Sequence, residues 1–227
     1  MKKNIVIVGS GQHAKVVLYN AICQNKYNVV GFINGCRDDV QKKIYDIPVI
    51  GTDDIIDNLI CEYCIEGYIL GVGNIKIRKK LIEYYDKRLE PVTIIHPKAV
   101  ISSYSRIGKG TLIECGCLVT PNPVIGRHCV INTMSGINHD NVLEDNVYIA
   151  SGVTLSGGVE IQEDTLIDDG VVITLGKKIG KRCIIGAGSV VTKDIPDDSI
   201  AYGIPSKIIR KNNFDGIPNA MESSGIS

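Results

Sequence analysis

The sequence predicts two architectures in series: an α/β domain over residues 1–92, then an all-β parallel β-helix over residues 93–211. Two observations predict it. From Ile95 to Val191 an aliphatic residue occupies every sixth position, seventeen times in succession. Before that stretch, short β-branched runs alternate with amphipathic helical segments, the pattern of a parallel sheet with crossover helices. A period of six is not helical, because 3.6 does not divide it. Being even, it can put every marked residue on one side of an extended chain. A six-residue internal repeat reads as a parallel β-helix.

The elements follow in order. Lys3–Val8 reads as a first strand entering Gly9-Ser10-Gly11-Gln12-His13-Ala14, a G-x-G-x-x-A turn. Lys15–Cys23 carries Val16, Val17, Leu18, Ala21 and Ile22 and reads as a helix. Val29–Ile33 is a second strand and Pro48–Gly51 a short extended piece. Asp53 or Asp54 can cap a helix running to Leu59. Tyr68–Val72 is another strand, entering Gly73-Asn74, and Ile75–Tyr85 is a basic amphipathic helix. The result is a small Rossmann-like parallel sheet whose glycine turn lets a phosphate approach a helix N-terminus. A dinucleotide is disfavoured. Asn34-Gly35 stands where an acidic residue would follow the second strand, and this length supplies one mononucleotide half rather than two. One nucleotide, or a sugar carried on one, fits better.

Val92–Ile95 leads the chain into the repeats. Two residues before most of the aliphatics stands a small or slim side chain, among them Thr111, Cys117, Ser135 and Val153, which should form a second inward row. Gly108, Gly126, Gly180 and Gly186 directly follow an aliphatic, where a corner would need positive φ or close backbone approach. After Val191 the repeat stops. Gly203-Ile204-Pro205-Ser206-Lys207 can close the open end, and residues 212–227 read as a flexible tail.

Composition narrows the function. Twenty-five basic residues balance twenty-five acidic ones with no basic run, so nucleic acid is not an expected partner. Trp is absent and Phe occurs twice, which removes base-stacking platforms. No apolar stretch reaches membrane-span length, and the apolar run after Lys3 reads as a strand rather than a signal peptide. Of eight cysteines, Cys117, Cys129 and Cys183 fall in inward slots as small hydrophobes, so a reducing, cytoplasmic setting is expected. Cys61-x-x-Cys64 has no second pair and reads as the end of a helix.

Four histidines carry the candidate chemistry. His13 lies in the glycine turn, His96 precedes Pro97, and His128 sits in a corner-like slot. His139 lies in Ile137-Asn138-His139-Asp140-Asn141, two residues past an inward aliphatic, so it should point off the coil wall with a carboxylate beside it. A neutral imidazole near its ordinary pKa of about 6.5 is a competent general base. A carboxylate on its other nitrogen would fix the tautomer. Spacing alone favours a solvated surface pair over a catalytic one. No third histidine is placed to complete a metal site with His128 and His139, so no metal is expected.

The hexads resemble the hexapeptide-repeat acyltransferases, in which three hexads close one triangular coil and the coils wind left-handed. Three motifs narrow the resemblance: Gly9-Ser10-Gly11-Gln12-His13-Ala14-Lys15, Asn132-Thr133 with Asn138-His139-Asp140, and Gly203-Ile204-Pro205-Ser206-Lys207. They are similar to the group containing the bacterial nucleotide-amino-sugar N-acetyltransferases and the sialic acid O-acetyltransferases. The resemblance implies a left-handed parallel β-helix, a homotrimer and acetyl-CoA as co-substrate. It makes His139 the general base and Asp140 the residue that tunes it. Nucleotide-sugar contacts map to Gly11, Gln12, His13, Asn34, Gly35 and Gly73, and acetyl-CoA contacts to Tyr148 and Asp169. The chain departs from the group's pattern at Asn34-Gly35 and at Asp168-Asp169, where acidic and Gly-Ala type residues are usual respectively. The implied reaction is direct acetyl transfer to the amine of a nucleotide-linked amino sugar, in bacterial surface-glycan or glycoprotein sugar biosynthesis. Alternatives are O-acetylation of a sialic acid and a non-catalytic trimeric scaffold that binds a nucleotide-sugar.

Overall fold

A computed structural model gives the structure and describes residues 1–214. The first part is a six-stranded sheet. Its strands are β1 (Asn4–Val8), β2 (Asn28–Ile33), β3 (Lys43–Ile44), β4 (Ile47–Gly51), β5 (Gly67–Leu70) and β6 (Glu90–Pro91), in the spatial order β3-β4-β2-β1-β5-β6. All pairings are parallel except the β3–β4 hairpin. The helices are α1 (Gln12–Gln24), α2 (Ile56–Tyr63) and α3 (Ile75–Tyr85). The order reverses at β1: the chain builds through β2 and β4 on one side, then returns through β5 and β6 on the other. Such a switch point opens a crevice at the carboxyl ends of the two central strands.

Two local expectations change. Helix α1 starts at Gln12 rather than Lys15 because the turn before it is tighter than the glycine spacing alone shows. Gly9 takes φ +105°, and a Cβ there would lie 2.6 Å from the Val72 side chain. Asp53 and Asp54 do not cap α2, which begins after a single 3-10 turn with Ile55 as an uncapped N-cap. The Asp53 carboxylate instead accepts the Tyr85 hydroxyl.

From Ile94 onward the chain climbs as a triangular prism. Leu112 pairs with Val130 and Val130 with Tyr148, a repeat of eighteen residues that builds three parallel sheets. Every sixth-position aliphatic from Ile113 to Val191 is at most 2% exposed, while Ile95, Ile101 and Ile107 of the first coil are partly covered. The small inward row is buried too, and its hydroxyls satisfy coil carbonyls: Ser135 donates to Ala150 O at 2.8 Å and Thr165 to Gly180 O at 2.8 Å. Buried polar groups must find such partners.

The corner glycines are explained by close approach and not by positive φ. Gly108 and Gly126 are close-approach glycines, a Cβ on Gly108 lying 2.5 Å from Gly126 C, but neither they nor Gly180 and Gly186 have positive φ. The left-handed residue comes two positions later. Gly110, Gly116, Asn122, His128, Met134, Asp140, Asn146 and Gly152 all have positive φ, and the series continues up the prism.

The three outer walls differ. On the first, Ile94, Leu112 and Val130 are buried together with Ile5, Val17 and Leu18 of the α/β part. On the second, Val100 and Leu118 are exposed, and on the third Arg106, Glu160 and Lys178 face outward. A polar weld joins the two parts beside the first wall. The buried Arg78 guanidinium of α3 donates to Asn146 Oδ1 at 3.0 Å, Val72 O at 3.0 Å and His128 O at 2.5 Å. Asp86 accepts from Tyr68 and Arg127, both at 2.7 Å, and meets the buried His128 ring. The hairpin Ser199–Gly203 and Ser206–Lys211 extends the first wall's sheet at its far end.

The flexible tail expected from residue 212 does not begin there. Asn212 and Phe214 are buried, because Asn212 donates to Arg182 O at 2.7 Å and Phe214 lies against Lys76 and Lys79 of α3. The rest of that expectation, residues 215–227, lies outside the described residues.

Candidate active site

His139 and Asp140 form the corner between the second and third walls. The left-handed φ of 60° at Asp140 turns the chain there and leaves both side chains outside the prism. His139 Nδ1 lies 2.9 Å from Asp140 Oδ2. Asn122, one coil below, donates to Asp140 Oδ1 at 3.2 Å. These bonds, the histidine's first, hold the Asp140 carboxyl below its ordinary range, so it is an anion at neutral pH. On the opposite side, one coil above, Gly157 lies flat against the imidazole, and a methyl there would overlap the ring. The ring is thus held by an acid at one nitrogen and a bare backbone behind it, and Nε2 is the nitrogen available to an incoming proton. Asn122 and Gly157 were not singled out from the sequence. The eighteen-residue period would have found them, since one lies a coil before Asp140 and the other a coil after His139.

The crevice at the switch point is a cavity of about 380 Å³. Gly11, Gln12, His13, Asn34, Gly35 and Gly73 all line it. Helix α1 opens onto it with no side-chain cap and no acidic residue in its first turn, so its terminal N–H groups can meet an anion. Helix α3, which also borders the cavity, is closed: Asn74 Oδ1 accepts from Lys76 N at 3.0 Å and Ile77 N at 3.2 Å. Asn34 is tied to Asp39. The carboxylate in this cavity comes from Asp53, whose Oδ2 would lie 3.6 Å from a Cβ on Gly35. It reaches the cavity from the 3-10 turn after β4 rather than from the end of β2. Burial, and then the Arg78 charge, push the His13 imidazole down to about 4, so it is neutral.

Tyr148 and Asp169 part company. Tyr148 leans toward the α/β part, its ring 5.8 Å from that of His13 and its hydroxyl accepting from Asn132 Nδ2 at 3.2 Å. Asp169 stands exposed at the corner between the first and second walls, where Oδ1 accepts the Ser151 N–H at 2.9 Å. Within one chain, the Asp169 edge and the His139 edge are different edges of the prism. Among the described residues no three His, Cys, Asp or Glu side chains cluster to hold a metal ion, and no helix is long and apolar enough to cross a membrane. Cys61 and Cys64 end α2 as free, exposed thiols, Cys64 being its left-handed C-cap.

Comparison with known proteins agrees with both halves of this picture. Residues 4–85 match the family model described as the PglD N-terminal domain. GDP-perosamine N-acetyltransferase from Escherichia coli is 32% identical over 154 residues, covering 66% of this chain and 68% of that enzyme. The crystal structure of PerB from Caulobacter crescentus, in complex with CoA and GDP-perosamine, is similar at a TM-score of 0.84 and 30% identity, over 91% of this chain and 97% of that one. The acetyltransferase domain of PglB from Neisseria gonorrhoeae, in complex with acetyl coenzyme A, gives a TM-score of 0.83 at 28% identity, over 92% of this chain and all of that one. The small parallel-sheet domain followed by a left-handed parallel β-helix is thus shared over 91% of this chain, and the chain belongs to the hexapeptide-repeat N-acetyltransferases of nucleotide-linked amino sugars.

Proposed function

We propose that the protein transfers the acetyl group of acetyl-CoA to the amine of a nucleotide-linked amino sugar, with His139 as general base. The observation that carries this reading is the His139–Asp140 pair, held at 2.9 Å on an exposed corner with the ring backed by Gly157. The carboxylate accepts the Nδ1 proton, which leaves the Nε2 lone pair for the substrate. The unprotonated amine attacks the thioester carbonyl and His139 Nε2 takes its proton as the C–N bond forms. The tetrahedral intermediate then expels the CoA sulfur as a thiolate, to which the imidazolium returns the proton. No acyl-enzyme is needed, because a neutral amine is already a competent nucleophile. Burial pushes the Cys117, Cys129 and Cys183 thiols up to about 11, 12 and 11, so none of these supplies a thiolate.

The switch-point cavity takes the nucleotide. The α1 N-terminus meets the phosphates, and Gly11, Gln12, His13, Asn34, Gly35, Gly73 and Asp53 surround the rest. Tyr148 belongs with these residues on the sugar's side, and Asp169 with acetyl-CoA. Because the His139 and Asp169 edges are separate in one chain, a neighbouring copy must bring them together. The uncovered apolar second wall, with Val100 and Leu118, supports the trimer that would do so. The reaction belongs in the cytoplasm, where acetyl-CoA and reduced cysteines coexist.

The test is thiol release from acetyl-CoA with GDP-, UDP- and dTDP-linked amino sugars, and with free sialic acid as the hydroxyl acceptor. Release with an amino sugar is expected, and His139→Ala should lower it about 100-fold or more while the assembly persists. Full activity in that variant, or release with sialic acid alone, would overturn the reading.

A further inference from the structure

A second cavity, of about 690 Å³, lies between α1 and the corner of the first and second walls. His13 lines both cavities, so the two adjoin at its imidazole. Several buried polar atoms in the second cavity's wall lack partners. Asn20 is 2% exposed and donates to Val16 O, leaving Oδ1 without a partner. Asn132 spends its Nδ2 on Tyr148, and its Oδ1 is without a partner, as is His13 Nε2. Most telling is Glu114, in the outward slot directly after the core residue Ile113 and only 4% exposed.

A buried carboxyl is costly unless something compensates it. No lysine, arginine or histidine forms an ion pair with Glu114 among the described residues. Desolvation lifts its acid to about 7, opposed by the Thr133 backbone N–H. Each unsatisfied buried polar atom costs about 1–3 kcal/mol. The prism does not need an acid there, since the equivalent slot one turn of the repeat above Asn132 is Ala150. A cost carried in one wall of a cavity that adjoins the nucleotide site is what a ligand would repay.

We propose that this cavity receives the sugar ring, and that Glu114 recognises a hydrogen-bond-donating substituent on it, a hydroxyl or an amine, and so helps set which sugar is accepted. The assignment rests on the reading that the switch-point cavity takes the nucleotide. Glu114 stands on a different edge of the prism from His139 of the same chain, so its part is recognition rather than proton transfer at that base. A site built to hydrogen-bond one group rejects analogues that lack it, which makes a single acid a strong selector.

The experiment compares two ligands by calorimetric titration: a nucleoside diphosphate, and the same nucleotide carrying a 4-amino-4,6-dideoxyhexose. GDP, UDP and dTDP are tried, and the one the wild type binds most tightly is used. E114M should weaken the sugar conjugate about 10-fold and leave the bare nucleotide within about twofold. E114Q keeps the side-chain shape, folds where E114M does not, and should show a smaller loss of about threefold, again confined to the conjugate. Equal losses for both ligands, or no loss for either, would overturn the assignment. Thiol release is scored separately: its absence in the wild type would count against N-acetylation while the binding comparison still decides the role of Glu114.

Discussion

His13 and His139 are the same side chain in opposite surroundings. His13 lies in the α/β part, half-buried between two cavities and neutral because desolvation and Arg78 disfavour its charge. His139 lies on the prism, 61% exposed, with an anionic partner on one nitrogen. The first can shape and hydrogen-bond a ligand but cannot carry a proton at neutral pH. The second is placed to take one up and give it back. On the proposed function the two halves divide the work, the sheet holding and the prism reacting, and a weld at Arg78 ties one to the other.

The largest way to break that division is at the weld. Arg78→Met would leave Val72 O, His128 O and Asn146 Oδ1 without their donor inside a closed interface. A loss of about 4 kcal/mol in unfolding free energy is expected. Chemical denaturation should show it, with the α/β part and the prism melting in separate steps where the wild type melts in one.

A smaller effect sharpens the contrast between the two histidines. The unfolded His13 takes a proton near pH 6.5, the folded one only near 4. Between those values the unfolded chain holds more protons, so stability is whole above about pH 6.5 and falls as pH drops toward 4, by about 3 kcal/mol for this group. His13→Asn should flatten that decline in denaturation curves taken from pH 7 to 4. Some slope will persist, because burial lowers His96 and His128 as well.

The smallest of the three effects tests the seat of His139. Gly157→Ala puts a methyl where the imidazole lies, at a residue whose φ is not in the left-handed region. The fold should survive, and kcat should drop about 10-fold with nucleotide affinity unchanged. An unaltered kcat would mean that the ring's position against Gly157 is immaterial.

Much of this was legible in the residues themselves. The sixfold aliphatic period marks the prism because its core is built of one repeated inward slot, and His139 stands out because its slot faces the other way. The glycine turn and Asn34-Gly35 converge because a switch point forces the ends of neighbouring strands together. What stayed hidden depends on contacts distant in sequence. Arg78 meets Asn146 across 68 residues and His128 across 50, and nothing local distinguishes it from the other cations of α3. Asp53 reads as a helix cap until the fold places it beside Gly35. The contact of Tyr148 with His13 is likewise invisible until the α/β part is seen to cover the first wall. Of the two reasons the sequence offers for the corner glycines, only stacking decides between them: Gly108 and Gly126 are required by the coil above them, not by their own backbone angles.

The left-handed corner residues carry a consequence of their own. They stand in vertical files, so that Asn122, Asp140 and Gly158 occupy successive storeys of one edge. A residue in such a file is buttressed from below and roofed from above by the same edge, so that a Cβ on Gly110 would overlap the His128 ring one storey up, and one on Gly116 the Met134 sulfur. New chemistry written into an edge must therefore be matched to its column, since a given storey works only as well as the two that enclose it.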